Sequence, residues 1–516
     1  MADSKRNLKT IREQLLKLPD VEKKEREKVR VDYYFYKGRC EDEAKAKHDK
    51  ALLGQNWELQ DNIGYIPTQE IRNKVKPLIK KQARFMFGKE PTITLKPKDI
   101  KDKEKCEELR QFIDKVFMDK TNQFWKNTRK AFLNSTIKKR VLLRVEANPN
   151  SPILIGYEDI EDFYYKEINN VLVEAKFFEE DKKNIYAKED SEKIYYIHKY
   201  YYDKPEGKKD ISAFYQKLTY KGDNLNEAIK EESADTGFSI IPCWLIKNGG
   251  ELNEEFGESD IEDLKDIQNN YNRTVSDYRD ALRFEMFGAE AVIDGNQDDV
   301  NNFVIAPGAL HAVKTDRQAA AEGKQAVVQR IEYSFSSSGA VNNYLDRSMQ
   351  DMNFVLDMPS IKDMNNIPSA KAMKYLYNDL IARCEEKWSD WQPVFEELIH
   401  FIINAAKYCY SDFKEEWKSL EYTILFERNY PIPSDEEDKK KIGMDEVASG
   451  VRSKKSYIKE FTDEEDSEEA YKEILEEKSL EAGIEMGELS PGNKTNAKNN
   501  PEEDEDDEEK EDELNE

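Results

Sequence analysis

Between Phe256 and Tyr278, apolar side chains fall at Ile261, Leu264, Ile267, Tyr271, Val275 and Tyr278, in steps of three or four. That spacing predicts one narrow face of an α-helix, with Ser259 and Glu262 forming a capping box at its start. The rest of the circumference is Asp, Asn, Lys, Gln and Arg, more polar than a helix in an ordinary core. A second stripe, Val341, Leu345, Met349, Met352 and Leu356, predicts a helix over about 339–356. Between them "AEAVID" and "AVVQRIEYSF" predict short strands, whose partial alternation suggests pairing between neighbouring chains. A third stripe runs from Leu376 through Trp388, Trp391 and Phe395 to Cys409 and predicts one helix over about 369–410. At ~1.5 Å per residue it would span roughly 60 Å. Pro393 is expected to kink or divide it.

Upstream, residues 1 to about 60 read as two helices split at Pro19, and a further helix closes at Gly88 with Pro91 as a stop. One helix is expected over about 104–134, carrying Phe112, Val116, Phe117, Phe124, Trp125 and Phe132. From about 140 to 245, β-branched and aromatic runs such as "RVLLRVE" and "KIYYIHKYYY", separated by turn clusters, predict an antiparallel meander. After residue 420, "TILFERNYPIPS" returns to extended chain. Acidic helical sequence continues to about 485, and a disordered tail is expected beyond it.

Charge sharpens this picture. Charged residues make up 36% of the 516, against roughly 25% in a typical domain, so much of the chain must be surface. The net charge is −26; residues 501–516 hold 12 acids and one lysine, a net of −11, which leaves −15 for the rest. A protein that grips nucleic acid by counterion release would be basic, so if this chain meets DNA it is expected to do so loosely or through a few placed cations. Cys40, Cys106, Cys243, Cys384 and Cys409 show neither zinc-knuckle nor CxxC spacing, and reduced thiols in a cytoplasmic setting are expected. No apolar run approaches the ~20 residues of a membrane span, so a soluble protein made in the cytoplasm is expected.

Candidate chemistry is sparse. Neither "FGKEPT" nor "GNKT" is a phosphate loop, and no G-x-S-x-G, H-E-x-x-H or kinase signature occurs. His48, His198, His311 and His400 stand apart from one another. No catalytic residue, metal site or cofactor is therefore expected, and the chain is read as no enzyme. Because carboxylates are so numerous, a metal-dependent nuclease of DNA processing stays as the alternative reading.

Several stretches taken in order carry a resemblance. They are "KPLIKKQARFMFGKEPTI", "DIEDFYYKEINNVLVEAKFF", "IIPCWLIKNGGELNEEFGESDIEDLKDIQNNYNRTVSDYRDAL", "LDMPSIKDMNNIPSAKAMKYLYNDL", "FERNYPIPSDEEDKKK" and "GVRSKKSYIKEFTDEEDSEEAYKEILEE". Together, over about residues 30–480, they resemble the portal proteins of tailed bacteriophages, especially long-tailed phages of Gram-positive hosts. The chain departs from the family's usual "SG.A" with "PSAKA" (Ser369, Ala372 and Lys374 in the run), and carries Ser456 where the family has Thr.

The resemblance implies an α+β, mainly helical protomer. Its parts would be a wing (1–255), a first stem helix (256–283), a clip (284–335) and a second stem helix (336–356). A tunnel loop (357–368), a long spine helix returning to the wing (369–433), a helical crown (434–486) and an acidic tail (487–516) would follow. It further implies a dodecameric ring at one capsid vertex of the virion, a channel through which double-stranded DNA is packaged and later ejected. The implied partners are that DNA, without sequence specificity, the terminase large subunit, a head-completion or adaptor protein, and the major capsid and scaffolding proteins, with no membrane and no cofactor. Ile261, Leu264, Ile267, Tyr271, Val275, Val341, Leu345, Met349 and Met352 would form the stem's oligomer interface. Met358, Ser360, Lys362, Asp363, Asn365 and Asn366 would form the tunnel loop against DNA, with Lys362 its only cation.

Overall fold

A computed structural model describes residues 8–38, 67–204, 211–222, 224–252, 254–287, 289–301, 313–331, 337–359, 370–432, 436–462 and 467–488. Cys40, His48, His311 and most of the acidic tail lie outside the described residues. The chain divides into two units, 1–433 and 434–516.

In the first unit, α1 (Leu8–Leu16) and α2 (Asp20–Lys37) are separated at Lys17–Pro19, where proline ends the first helix. An extended stretch, 67–74, leads into α3 (Val75–Phe87) and β1 (Thr92–Pro97). The single helix expected over 104–134 is two, α4 (Lys103–Met118) and α5 (Phe124–Lys138). Buried Asn122 occupies the turn between them, donating to the carbonyls of Val116 (2.8 Å) and Ile153 (2.9 Å) and accepting from Ile155 N–H (2.9 Å). Three backbone groups with no helical partner are thereby satisfied.

The β region forms two antiparallel sheets. β2 (Arg140–Glu146) lies between β3 (Leu154–Glu158) and β9 (Cys243–Lys247). The expected meander is β4 (Phe163–Ile168), β5 (Val171–Glu180), β6 (Ile194–Asp203), β7 (Ser212–Lys221) and β8 (Lys230–Asp235), in sequential order. Period-two alternation sends neighbouring side chains to opposite faces. Phe178, Tyr195, Ile197 and Tyr220 pack on Ile11, Leu15 and Leu16 of α1, while Phe163, Ala175, Phe177 and Tyr200 pack with Val29 of α2.

The remaining elements are α6 (Leu264–Phe287), β10 (Ala289–Ile293), β11 (Val327–Ile331), α7 (Ser338–Val355), α8 (Ala370–Leu376), α9 (Asn378–Cys409) and β12 (Tyr422–Glu427), which pairs antiparallel with β1. The long helix is interrupted at Tyr377 and runs unbroken through Pro393. Pro393 and Ser389, whose carbonyl loses its donor to the proline ring, are both exposed, so water can satisfy that carbonyl. On the inward side Trp388, Trp391 and Phe395 meet Phe87, Phe124, Trp125 and Phe132, with Phe87 5.3 Å from Trp388 and Phe124 5.6 Å from Phe395 between ring centres. This aromatic core fixes α9 against α3 and α5.

The second unit consists of α10 (Glu436–Ala448), α11 (Lys454–Phe461) and α12 (Ser467–Glu488), as the acidic helical pattern predicts. Ser453 caps α11 by accepting from Ser456 N–H.

Candidate functional site

The chain leaves β9 through Asn248 and reaches α6 by way of Asp260. That carboxylate is buried, and four side chains converge on it. Oδ1 accepts from Lys387 Nζ and Asn248 Nδ2, each at 2.8 Å, and Oδ2 from Gln82 Nε2 at 2.8 Å and Arg383 Nη2 at 3.3 Å. Its own N–H donates to Thr136 O (2.8 Å). Burial pushes the Asp260 carboxyl up, but Lys387, Arg383 and the hydrogen bonds outweigh it and hold the group below the ordinary carboxylate range. Lys387 and Arg383 stand one turn apart on α9, so a single helix face supplies both cations. Arg383 also donates to Asp357 Oδ2 (3.2 Å) and Val355 O (3.3 Å), which ties the end of α7 to the start of α6.

The expected capping box does not form. Buried Ser259 donates from Oγ to Ile137 O (2.8 Å), satisfying a carbonyl in the last turn of α5, and α6 begins five residues later at Leu264.

The polar side of α6 has a partner within the chain. Gln268, Asn272, Ser276 and Asp280, one every fourth residue, accept in turn from the backbone N–H groups of Lys74 (2.8 Å), Arg72 (3.0 Å), Glu70 (2.9 Å) and Thr68 (2.8 Å). Gln268 returns a bond to Arg72 O (3.0 Å), and Thr68 Oγ1 donates to Asp280 Oδ1 (2.6 Å). Four helical residues advance about 6.0 Å and two extended residues about 6.6 Å, so the two repeats stay in step over four rungs. All four helix side chains are buried.

Burial falls along α6, from Leu264 at 0% exposure to Leu282 at 39%, and rises along α7, from Tyr344 at 45% to Met352 at 0%. The two helices therefore leave and re-enter the core as a hairpin, with β10 and β11 at its far end. Ile261, Leu264, Tyr271, Val275 and Met352 are buried in this chain's own core, with Ile267, Leu345 and Met349 packed against it; Val341 is half-buried. Within this chain the facing stripes of the two-helix hairpin are covered by each other. The expected strand pairing is corrected. β10 pairs antiparallel with β11 of the same chain, from Ala289 opposite Ile331 to Ile293 opposite Val327, because the stem helices bring both strands to one place.

At the end of α7, Asp357 adopts φ 53° while Met358 N–H returns to Asn353 O (2.9 Å) and Asp357 N–H to Phe354 O (3.0 Å), a Schellman turn. Met358 is buried in the core, so of the expected loop residues it is an anchor and not a contact for DNA. Ser360, Lys362, Asp363, Asn365, Asn366 and Ser369 lie outside the described residues, while Ala372 and Lys374 lie in α8. Of the histidines, His198 sits between Glu179 (2.8 Å) and Tyr215 (2.7 Å), and His400 stacks on Tyr422. Among the described residues no group of three His, Cys, Asp or Glu side chains could hold a metal ion, and no helix is long and apolar enough to cross a membrane.

The family model of the phage portal proteins described as SPP1 Gp6-like matches residues 15–483, nearly the whole chain. The chain belongs to that phage portal family. Its α+β fold and its standing as a virion head-to-tail connector of a bacteriophage follow from that membership. Among solved structures this portal protein is similar to a chain in the neck of a native GTA particle computed with C12 symmetry, at 10% identity and TM-score 0.37, covering 74% of this chain and 87% of that one. It is also similar to a chain in the virion of a native gene transfer agent particle (9%, TM-score 0.39, covering 76% and 94%) and in the neck of an empty GTA particle computed with C6 symmetry (12%, 0.38, covering 78% and 96%). No curated protein matches it.

Two outcomes test this portal protein's stem base. In native-state hydrogen exchange, the amides of Thr68, Glu70, Arg72 and Lys74 should be protected, and Asn272→Ala should release Arg72. Unchanged protection at Arg72 would refute the ladder. Asp260→Asn should destabilise the first unit by roughly 3 kcal/mol at neutral pH, because buried Lys387 loses its counter-charge and Arg383 keeps only Asp357. Since the folded carboxyl titrates below its unfolded value of about 3.9, its stabilisation is complete above that pH and is lost as pH falls through the folded value. In denaturant titrations the difference between wild type and variant should therefore shrink below about pH 4.

Proposed function

We propose that the protein forms a dodecameric ring at one capsid vertex, the channel through which double-stranded DNA enters during packaging and leaves during ejection. The observation that carries this is the α6–α7 hairpin. Its base is closed by its own stripe, while its far half exposes Leu282 and Tyr344, and its tip exposes Ile293, Val327 and Val328. Apolar surface on a thin two-helix projection calls for cover, and further copies of the same hairpin around a ring provide it. The far half of α6 carries Asp277, Arg279, Arg283 and Glu285 outside the ladder, so mixed charge there favours neighbours of the same kind and gives sliding DNA no continuous cationic rail.

In this reading the clip end of the stem meets the terminase large subunit during packaging and an adaptor afterwards, and the wing meets the major capsid and scaffolding proteins. The loop containing Lys362 forms the narrowest ring, where one ammonium per subunit makes solvated, exchangeable contacts with phosphate.

Leu282→Asp combined with Tyr344→Asp should give particles smaller than the wild-type ring by size-exclusion chromatography with light scattering, with the subunit's thermal unfolding retained. Rings of wild-type mass would sink the assignment. Lys362→Glu should leave ring mass unchanged and reduce the length or rate of DNA packaged in vitro, most at low ionic strength where screening is weakest; wild-type packaging there would remove this residue from the DNA path.

A further inference from the structure

Two stretches of this acidic chain contain no acid at all. One residue in five is Asp or Glu, 107 of 516, yet none occurs from Ile71 to Lys89 or from Lys120 to Val145. These stretches contain α3 and α5, which pack side by side through Phe87 against Phe132 (5.5 Å) and Trp125 (6.4 Å). The inward face of α3 is Leu78, Ile79, Gln82, Ala83, Phe85 and Met86, all buried. Its outward arc holds Lys76, Lys80, Lys81 and Arg84 with only Pro77 and Gly88 between them, and α5 turns Lys126, Arg129 and Lys130 outward.

Among the described residues none of these seven cations forms an ion pair. Lys126 donates to Gln123 Oε1 (2.6 Å) and Lys130 to Asn127 Oδ1 (3.3 Å), both neutral partners. Burial alone lowers the Lys81 ammonium, with no carboxylate opposing it. Some exposed cations elsewhere in the same unit are paired, as Lys98 is with Glu421 and Lys115 with Asp412. Asp159 reaches only the far end of α5, at Asn134 and Lys138, and none of the seven cations is neutralised by an ion pair among the described residues.

We infer that the outward faces of α3 and α5 form a binding surface for the phosphate backbone of duplex DNA, separate from the stem and the Lys362 loop. Lys76, Lys80 and Arg84 recur every fourth residue, roughly 6 Å apart along the helix axis. Two phosphate steps of one strand rise about 6.8 Å, so successive cations match every second phosphate along a strand. An acidic protein is the poorer fit. Neither helix exposes a large apolar side chain, whereas protein interfaces concentrate aromatic and apolar anchors and are depleted in lysine. Binding here is independent of sequence, because every contact is to phosphate.

The test uses the full-length protein and a fluorescent 30-base-pair duplex of random sequence, titrated by anisotropy between about 50 and 200 mM salt. Lys80→Gln with Arg84→Gln and Arg129→Gln should lower the slope of log affinity against log salt by about 0.9 per cation, roughly 2.7 in all, and weaken binding about tenfold or more at low salt. Lys80→Arg with Arg84→Lys should bind as wild type. Light scattering of each variant separates loss of binding from loss of assembly. An unchanged slope in the triple variant overturns the inference. A slope that changes only in Lys362→Glu assigns the binding to the channel and also overturns it. Tighter binding of a polyglutamate peptide than of the duplex would make the surface a docking face for acidic protein, and the inference would fail.

Discussion

The structure turns on one buried carboxylate. At Asp260 the chain must pass from a sheet into a long projecting helix, and Gln82 of α3, the last turn of α5, the Asn248 linker and α9 all reach the same point. Such a junction collects backbone groups at element ends that an apolar side chain could not satisfy. The groups around the anion meet several of them, Asn248 donating to Glu258 O, Arg383 to Val355 O and the Asp260 N–H to Thr136 O, and Asp357 on Arg383 brings the local charge to balance. Removing either sign leaves the other buried and uncompensated, which is costlier than an apolar replacement of the whole group. The directions of α6 and α7 relative to the spine helix are therefore set by bonds of fixed geometry, not by shapeless apolar contact.

The same logic explains why α6 is so polar. Its apolar stripe is needed for α7 and the core, and its polar side is needed for the extended stretch 67–74, which has no sheet to pair with. A helix cannot offer backbone acceptors to a strand, since its carbonyls are taken by its own ladder. Side chains of Gln, Asn, Ser and Asp at every fourth position substitute for the missing strand. Polar residues here are structural, and α6 is held on two sides from Gln268 to Asp280.

What was legible in the sequence follows from range. The stripes of α6, α7 and α9, the proline break after α1 and the β4–β8 meander depend on neighbours three, four or two residues away, and periodicity reads those directly. Ser259 looked like a cap because a cap is local; it is not one because Ile137, 122 residues earlier, needed its hydroxyl more. Pro393 looked like a break because a lost hydrogen bond is local; its exposure, set by the fold of α9 on the aromatic core, makes the loss tolerable. The clip strands looked like partners for another chain because their separation in sequence hides that the two stem helices carry them to one place. Gln268, Asn272, Ser276 and Asp280 are visible as a period of four, but their partners lie about 200 residues upstream, and no local pattern announces them.

Charge shows the same division between sum and place. The total of −26 invites the conclusion that this chain repels DNA everywhere, yet a total is not a field. At physiological ionic strength charges act over about 8 Å, so the 12 acids of residues 501–516 weigh on a given surface only where they come that near. Acids and bases in this chain are not mixed evenly. Two stretches, 71–89 and 120–145, hold no acid, and among the described residues the seven cations turned outward from α3 and α5 have no ion-pair partner, a local excess of positive charge that the average hides. The weak overall attraction and the local positive surface are compatible, because binding by counterion release counts only the phosphates a cation actually reaches. Net charge therefore bounds how tightly the whole subunit can hold a duplex, and the arrangement of α3 beside α5 decides where.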